Sequence, residues 1–403
     1  CDRRSFIRHG GAALAAITLL PELASALPRV TGAPLPVAVI GAGRQGRALL
    51  GELQKMEAVE VVALCDRDER RLDSGVRRAP GAEAFADHRA LLDRRKDVEA
   101  VFVATPTHLH RAIAIDAIEA QRHVYCEAPL ASTVEDCAAM VQAARASQRV
   151  CQAGLQGRSN PIYQLARTFY RSDSVRDLIT MRAQYHRKTT WRSPASDPGR
   201  ERELNWRLDG ERSIGLAGEI GTQQFDVVHW YTSEYPTSVR GSGTIRVHDD
   251  GRDVHDTIEC VLTFPSGVTL RYDATLANSF EGQHEVFCGS NASIKLAWTA
   301  GWMFKEADAP TQGWEVYANR QQFHNEEGIT LIADATQLAA QGRLKDGVGL
   351  PNPPLYYAIG DFLKSVLEGA PVACSMDEAA RATAVGIAAH EATRRGTTVA
   401  ITL

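Results

Sequence analysis

Three closely spaced glycines and one downstream aspartate form the clearest chemical pattern in the 403-residue sequence. Gly41, Gly43 and Gly46 give the spacing G-x-G-x-x-G, and the aspartate, Asp66, lies 20 residues after the last of them. Such glycines permit a tight turn, close approach of the backbone to a diphosphate, and close packing of a helix on a strand. A carboxylate at this distance accepts hydrogen bonds from ribose hydroxyls. The pattern predicts an NAD site, with NADP as the alternative because Arg67 follows the aspartate.

Further candidate residues follow apolar segments that we expect to be neighbouring parallel strands. Ligands of such sheets bind beyond the carboxyl ends of the strands. We therefore expect the remaining cofactor contacts to come from Arg44, Gln45, Thr105, Pro106, His110, Glu127 and Ala128.

Between residues 36 and 154, apolar runs alternate with helix-compatible stretches. This alternation is typical of a doubly wound parallel sheet, so it predicts an N-terminal α/β Rossmann domain over 36–154. The predicted strands are 36–40, 59–64, 98–104, 123–126 and 150–153.

The pattern changes in the rest of the chain, residues 155–403, which we assign to a second α+β domain for substrate binding and oligomerisation. Alternating apolar residues predict a hairpin of strands 258–264 and 268–276. Further strands are expected at 178–186, 238–247, 283–289 and 292–298, and helices at 355–368 and 377–395. We predict an open, predominantly antiparallel sheet, a homo-oligomer (dimer or tetramer) formed through that sheet, and terminal helices that pack back on the Rossmann domain.

The N-terminus has the three-part layout of an export signal. Arg3 and Arg4 precede a short apolar segment, and Ala24-Ser25-Ala26 offers a cleavage site. We predict a twin-arginine-type signal peptide over residues 1–26, export to the periplasm by the twin-arginine machinery, and no stable membrane span. The alternative is an ordinary amphipathic helix.

Charge and cysteine usage exclude several classes of function. The formal net charge is −4 without a run of like charge, so we expect no nucleic-acid partner. The eight cysteines contain no Cys-x-x-Cys pair, so we expect buried thiols and no metal site.

Several motifs together resemble the Gfo/Idh/MocA oxidoreductase family over about residues 36–400: VAVIGAGRQG, ALCDRD, VFVATPTHLH, HVYCEAPL, QAGLQGRSNPIY and GLAGEIGTQQFDVVHW. The resemblance implies a Rossmann domain followed by a domain with an open sheet. It also implies NAD(P) binding and oxidation or reduction of a sugar or polyol carbon. Glu127 is then expected near the nicotinamide ribose.

The sequence departs from that family at two positions that handle protons. Ala128 replaces a lysine, and Gln223 replaces a histidine. Neither residue can act as an acid or base near neutral pH. We take four residues as catalytic candidates. Glu219 and Gln223 lie in the aligned segment, and Lys188 and His186 lie in a nearby polar stretch.

Aromatic and basic residues cluster in two segments of the second domain. Tryptophan faces stack on sugar rings, and arginines bond hydroxyls or pair with carboxylates. The predicted substrate contacts are Tyr185, Arg187, Trp191, Trp206, Arg207 and Asp226.

Three functions remain open at this stage. The first is an NAD(P)-dependent oxidoreductase that acts on a sugar, polyol or sugar derivative and holds its nucleotide tightly. The second is a redox-neutral, NAD-dependent glycoside hydrolase. The third is an inactive homologue that binds nucleotide or sugar without turnover.

Overall fold

The computed structural model describes residues 33–312 and 349–402, together with 315, 319–323, 326–332 and 338 between them. The predicted signal segment 1–26 lies outside these residues. In the part of the chain that is described, no helix combines the length and apolar character needed to cross a bilayer.

The N-terminal domain is built on a six-stranded sheet in which every pairing is parallel. Its strands are β1 Leu35–Ile40, β2 Val59–Cys65, β3 Glu83–Phe85, β4 Ala100–Val103, β5 His123–Glu127 and β6 Cys151–Gly154. The spatial order is β3-β2-β1-β4-β5-β6, so the predicted Rossmann sheet is confirmed. The three-residue strand β3 was not predicted, because it contains no apolar run long enough to stand out.

Five helices connect these strands: α1 Arg44–Leu53, α2 Glu69–Val76, α3 His88–Arg94, α4 His110–Glu119 and α5 Val134–Ala146. Side chains cap three of them, since Asp68 accepts from the backbone N–H of Arg71, Asp87 from that of Arg89 and Thr133 from that of Asp136. Helix α1 follows Gly43 and has no side-chain cap. The N–H groups of its first turn are therefore free of a capping side chain and point toward the glycine loop.

The second domain contains α6 Pro161–Arg171, α7 Pro198–Leu204 and α8 Thr222–Thr232, and the chain ends with α9 Pro354–Glu368 and α10 Met376–Arg395. Ten strands of the described residues form its sheet. They are β7 Leu178–His186, β8 Ser238–Thr244, β9 Thr257–Thr263, β10 Thr269–Thr275, β11 Gln283–Gly289, β12 Ala292–Leu296, β13 Gly301–Lys305, β14 Arg320–Phe323, β15 Glu326–Thr330 and β16 Thr398–Ala400. Neighbours pair antiparallel except β7 with β10, which confirms the mainly antiparallel sheet.

One face of this sheet is buried and the other is open. Along β7, Met181 and Ala183 are buried among the helices, whereas Arg182 between them is exposed. Strand β9 shows the same alternation, with buried Cys260 next to exposed Glu259. Because successive side chains of a strand point to opposite faces, one face packs on the core and the other meets solvent in the single chain.

The two C-terminal helices pack against both domains. In α9, Phe362 lies edge-on to Phe102 of β4 with ring centroids 5.3 Å apart. In α10, the Thr383 hydroxyl accepts from the backbone N–H of Leu130, and Gly386 contacts Gly218 of the second domain. These helices hold the two sheets on either side of one cleft.

Candidate active site

The glycine loop is tight on one side and open on the other. Gly41 has a φ of +100°, and a Cβ there would lie 2.6 Å from the backbone of Ala104. A Cβ on Gly46 would lie 1.7 Å from the carbonyl oxygen of Gly41. At Gly43, by contrast, the nearest atom to an added Cβ is Nη1 of Arg71, at 3.7 Å. The loop can therefore exist only with glycine at its two ends, and it leaves room at its centre for a diphosphate.

Asp66 is fixed beside this loop by two backbone hydrogen bonds. Ala42 donates its N–H to Oδ2 at 2.7 Å, and Asp68 donates to Oδ1 at 2.8 Å. A carboxylate has about four acceptor positions, so Asp66 can still accept from ribose hydroxyls. Arg67 is exposed at the edge of this position.

The end of β4 presents one unpaired hydroxyl and one buried imidazole. Oγ1 of Thr105 is buried without a hydrogen-bond partner, so it is available to a ligand. His110 lies between the carbonyl oxygens of Thr105 at 2.9 Å and Pro129 at 3.0 Å. Burial lowers the pKa of His110, and the hydrogen bonds with the two carbonyl oxygens oppose this shift. His110 thus holds together the loops after β4 and β5, and Pro106 lies half-buried beside it.

Glu127 at the end of β5 is a buried carboxyl whose hydrogen-bond donors are amides. Gln45 donates from Nε2 to Oε1 at 2.9 Å, and the Gln156 side chain and the Ala128 backbone also donate to the carboxylate. Burial raises the pKa of Glu127 to about 7. Ala128 beside it is partly exposed, so it leaves space at the position where the family carries a lysine.

Gln223 is anchored next to this carboxyl. Its Nε2 donates to the carbonyl oxygen of Gly154 at 2.8 Å, and its Oε1 accepts from the backbone N–H of Gln156 at 3.1 Å. A Cβ on Gly154 would lie 2.9 Å from Oε2 of Glu127, so the Glu127 carboxyl also lies next to Gly154. The structure thus brings Glu127 and Gln223 together at the ends of β5 and β6.

Glu219 lies on a π-helical segment, Ala217–Gly221, directly before α8. Its Oε2 accepts from the hydroxyl of Thr107 at 3.0 Å and lies 3.7 Å from Nε of Arg207. Burial raises the pKa of Glu219, and the nearby Arg207 opposes this shift. Short π-helical turns are frequent at functional sites, and this one places a buried carboxyl in contact with the Rossmann domain.

An aromatic and basic wall faces the same cleft. Trp206 is buried edge-on to the His108 ring, with centroids 5.6 Å apart. The Arg207 guanidinium lies 4.8 Å from the Trp206 ring centroid and 5.6 Å from that of Trp191. Tyr185 is half-buried on the core side of β7, and Arg187 follows it in an exposed position. The structure therefore brings Trp191, Trp206 and Arg207 together, and it places Tyr185 and Arg187 at the end of β7.

Three other predicted residues are placed elsewhere. His186 bonds the Asp273 carboxylate and the Phe280 carbonyl on the open face of the sheet. Lys188 is exposed, with its backbone N–H bonded to Ser279. Asp226 is buried, and both of its oxygens accept from Arg158, at 2.8 and 2.7 Å. Burial raises the pKa of Asp226 and the arginine opposes that shift, so this pair holds α8 in place.

Two residues of the site were not predicted. Thr107 bonds Glu219, and Gln156 bonds both Glu127 and Gln223. Both residues lie shortly after the end of a predicted strand, as the predicted site residues do. This position in the sequence was the signal that could have identified them. Within the described part of the chain, no group of three or more His, Cys, Asp or Glu is arranged to hold a metal ion. The seven cysteines found there are all free thiols.

Comparison with known families gives two matches that together span more than half of the chain. Residues 35–155 match the GFO/IDH/MocA oxidoreductase family with an NAD-binding Rossmann fold. Residues 163–295 match the C-terminal domain of the same family.

Individual relatives are more distant. The chain is 31% identical to an inositol 2-dehydrogenase of Pseudarthrobacter chlorophenolicus over 208 residues, which is 51% of this chain and 56% of that protein. It is 28% identical to a glycosyl hydrolase family 109 protein of Shewanella pealeana over 174 residues, or 37% and 38% of the two chains. The aligned part thus spans about half or less of these relatives.

A solved levoglucosan dehydrogenase in complex with NADH has the same fold. The two chains superpose with a TM-score of 0.73 and are 21% identical in sequence. The superposition covers 92% of this chain and 99% of that one. At this identity the likeness concerns the fold alone.

Proposed function

Because the chain belongs to the GFO/IDH/MocA oxidoreductase family, we propose that it is an NAD-dependent oxidoreductase acting on a CH–OH group of a sugar, polyol or sugar derivative. The observation that carries this proposal is the cleft where the two domains meet, at which Glu219 accepts from Thr107 at 3.0 Å and Trp206 lies edge-on to His108. On one side of that cleft lie the glycine loop and Asp66. On the other lies a wall that could bind a sugar ring.

The residues of the Rossmann domain fit the cofactor. The space over Gly43 and the uncapped start of α1 suit a diphosphate, and Thr105 offers an unpaired buried hydroxyl. Asp66 favours NAD because its carboxylate would repel a 2′-phosphate. A bound nicotinamide dinucleotide supplies the acceptor or donor of a hydride.

The proton is then handled by carboxyl groups. Glu127 has its pKa raised to about 7, so it can both accept and donate a proton near neutral pH. Glu219 is also buried with a raised pKa and is oriented by Thr107. Gln223 fixes the end of β6 beside Glu127, while Trp206 and Arg207 orient the sugar. In this arrangement Glu127 and Glu219 take over the work that the family assigns to lysine and histidine.

The first experiment adds a panel of sugars, polyols and glycosides to the NAD-loaded protein and follows the absorbance of reduced nicotinamide. We expect one substrate class to change the redox state of the nucleotide. Trp206→Ala should abolish this change, whereas the matched control Trp230→Ala, whose ring lies under Arg167 at 4.7 Å outside the site, should preserve it. If the nucleotide binds but no compound alters its absorbance, the oxidoreductase proposal is wrong.

A second candidate is redox-neutral cleavage of a glycoside. The similarity to a glycosyl hydrolase family 109 protein and the absence of the family lysine and histidine favour it. In that case sugar is released from a glycoside with no net change of the nucleotide. Measuring released sugar in the same panel separates this reaction from dehydrogenation. A protein that shows neither signal, yet binds nucleotide or sugar, would be an inactive homologue.

We also propose that the protein is exported through the twin-arginine machinery. The support is the sequence of residues 1–26, in which Arg3 and Arg4 precede the apolar segment. Replacing both arginines by lysine should leave the protein inside the cytoplasm, as judged by cell fractionation. Unchanged distribution would contradict this proposal.

Homo-oligomer formation through the open sheet face is the last part of the proposal. Val261 on that face is 43% exposed, and Phe280 in the loop after β10 is 73% exposed. Light scattering should show a dimer or tetramer, and Val261→Glu should shift it toward monomer. The matched variant Val134→Glu, on exposed helix α5, should leave the mass unchanged.

A further inference from the structure

Helix α7 of the second domain is bonded to the cofactor side of the Rossmann sheet. Its third residue, Arg200, donates from Nε to Oδ2 of Asp68 at 2.6 Å and from Nη2 to Oδ1 at 3.3 Å. The two side chains are 27% and 15% exposed, so water reaches the pair only in part. An arginine that bonds both oxygens of a carboxylate fixes the geometry of the contact as well as its charge.

Asp68 belongs to the adenosine end of the predicted cofactor site. Its backbone N–H donates to Oδ1 of Asp66, the carboxylate assigned to the ribose, at 2.8 Å. Its own Oδ1 caps α2 by accepting from the backbone N–H of Arg71 at 3.0 Å. The second domain is therefore attached to the Rossmann domain two residues after the predicted ribose ligand.

A second contact between the domains lies on the other side of the glycine loop. The Thr107 hydroxyl, shortly after β4, donates to Oε2 of Glu219 at 3.0 Å. Both β2 and β4 pair with β1, and the glycine loop follows β1. Because the carboxyl ends of parallel strands lie at one edge of a sheet, the two contacts flank this loop. A dinucleotide on the loop would thus lie between two points at which the domains are joined.

These two contacts differ in how easily they can open. The Glu219 side chain is fully buried, so breaking its bond with Thr107 would leave polar atoms without a partner. The Arg200–Asp68 pair is partly exposed, and water can solvate both charges as they separate. Opening at Asp68 therefore costs less free energy than opening at Glu219.

Helix α7 is held firmly on its own domain. Asp197 caps it by accepting from the backbone N–H of Arg200 at 2.6 Å. Glu201 accepts from Nη1 of Arg192 at 2.9 Å, and Arg192 donates from Nε to Asp250 at 3.0 Å. Arg200 therefore moves with the second domain, and its contact breaks when that domain moves away from the loop after β2.

We propose that the Arg200–Asp68 pair is a latch that retains the bound nicotinamide dinucleotide, which leaves only when the pair opens. The inference rests on the proposed function, because it takes the position of the cofactor from it. It makes Arg200 a positioning residue that acts through Asp68 and takes no part in hydride or proton transfer.

The test measures how fast NADH leaves the protein when excess NAD is added, by NADH fluorescence and with no sugar present. Arg200→Met keeps much of the length of the side chain but removes its charge. It should accelerate dissociation about fivefold or more, the range expected for a charge-assisted contact that water partly screens. The matched control Arg202→Met, an exposed arginine on the same helix, should release NADH at the wild-type rate.

Asp68→Ser tests the pair from the other side. A serine hydroxyl can still cap α2, so the loop after β2 should keep its fold while Arg200 loses its partner. This variant should accelerate dissociation as much as Arg200→Met. The double variant should be no faster than either single one, because residues that act only through each other are not additive.

Equal dissociation rates in the wild type and Arg200→Met would overturn the inference. So would effects of the two substitutions that multiply in the double variant, because each residue would then act on the nucleotide separately.

The two proposals can fail separately. Dissociation is measured without sugar, so a protein that oxidises no sugar can still show the latch, and only the oxidoreductase function is then wrong. If sugars are oxidised while Arg200→Met releases NADH at the wild-type rate, only the latch is wrong. A protein that binds no NADH contradicts both.

Discussion

Gln223 bonds the end of β6 and the turn after it through both ends of its side-chain amide, donating to Gly154 at 2.8 Å and accepting from Gln156 at 3.1 Å. The position at which the family carries a histidine is therefore a fixed link between the two domains. An amide does not titrate, so the proposed function assigns proton transfer at this end of the cleft to Glu127. The predictions below follow from this arrangement.

We expect Glu127→Gln to lower the rate of sugar-dependent nucleotide reduction by about 100-fold, a typical loss when a general base is removed. In the wild type, the carboxylate fraction of Glu127 rises as the pH passes through about 7, so the rate of sugar oxidation should rise with it. The variant should lose this inflection. Rate against pH, with NAD affinity measured in parallel, checks the prediction.

The control for this variant is Glu135→Gln, which removes an exposed carboxylate in the first turn of α5. Its pH profile should match that of the wild type. An unchanged inflection in Glu127→Gln would contradict the prediction and assign proton transfer to another group. Glu219 would then be the next residue to replace.

Ala128→Lys should move the same inflection to lower pH. The new ammonium group would lie beside the Glu127 carboxyl, and an opposite charge nearby stabilises the ionised form. Ala128 is partly exposed, so there is space for a longer side chain. Ala128→Met tests the effect of length without charge and should leave the inflection where it is. A shift of equal size in both variants would mean that crowding, not charge, is responsible.

Gly43→Ala should fold normally but bind NAD at least about tenfold more weakly, because a methyl group would occupy the closest approach of the diphosphate. The added Cβ meets nothing nearer than Arg71, so the apo protein should keep its melting temperature. Gly51→Ala, on the same helix with no atom within 4 Å of the new Cβ, should bind NAD as the wild type does. Calorimetric titration of NAD distinguishes the two variants.

The buried carboxyl of Glu285 should make the stability of the protein depend on pH. It is buried, accepts from the Tyr163 hydroxyl at 2.6 Å and from Gln224 at 2.8 Å, and burial raises its pKa from 4.5 to about 7. The folded state thus holds a proton that the unfolded state releases. The contribution of Glu285 to the free energy of unfolding should be greatest below about pH 4.5. It should be lost as the pH rises to about 7.

Glu285→Gln should reduce this loss of stability, measured by urea unfolding at pH values across the window. Glu259→Gln, an exposed carboxylate on the open sheet face, should leave the slope unchanged. Part of the slope should remain in Glu285→Gln, because Glu127 has a pKa raised in the same direction. Identical slopes in wild type and Glu285→Gln would contradict the prediction.

Local sequence patterns were sufficient to predict most of the fold. The glycine spacing and the strand-end position of Asp66 concern neighbouring residues, and apolar runs identified five of the six Rossmann strands. Strands that depend on distant partners were missed. Thr398–Ala400, for example, is a strand because it pairs with Ser238–Thr244, which no local periodicity reveals.

The same distinction applies to the site. Glu219 and Thr107 are 112 residues apart in sequence, and their contact depends on how the two domains pack. His186 follows Tyr185 directly and was grouped with it, yet neighbouring residues of a strand point to opposite faces. The buried pairing of Asp226 with Arg158 likewise depends on the packing of α8 and was not visible in the sequence.

The contacts of α9 and α10 also determine when the chain can fold. Gln152, near the end of the Rossmann sheet, donates to the carbonyl oxygen of Ala358, 206 residues later, and Phe362 packs on Phe102. While the chain is being synthesised, the apolar surface that α9 covers has no partner until residues Pro354–Glu368 have left the ribosome. The N-terminal domain is thus completed only once α9 has been synthesised, and a fragment ending at residue 154 would expose an apolar surface prone to aggregation.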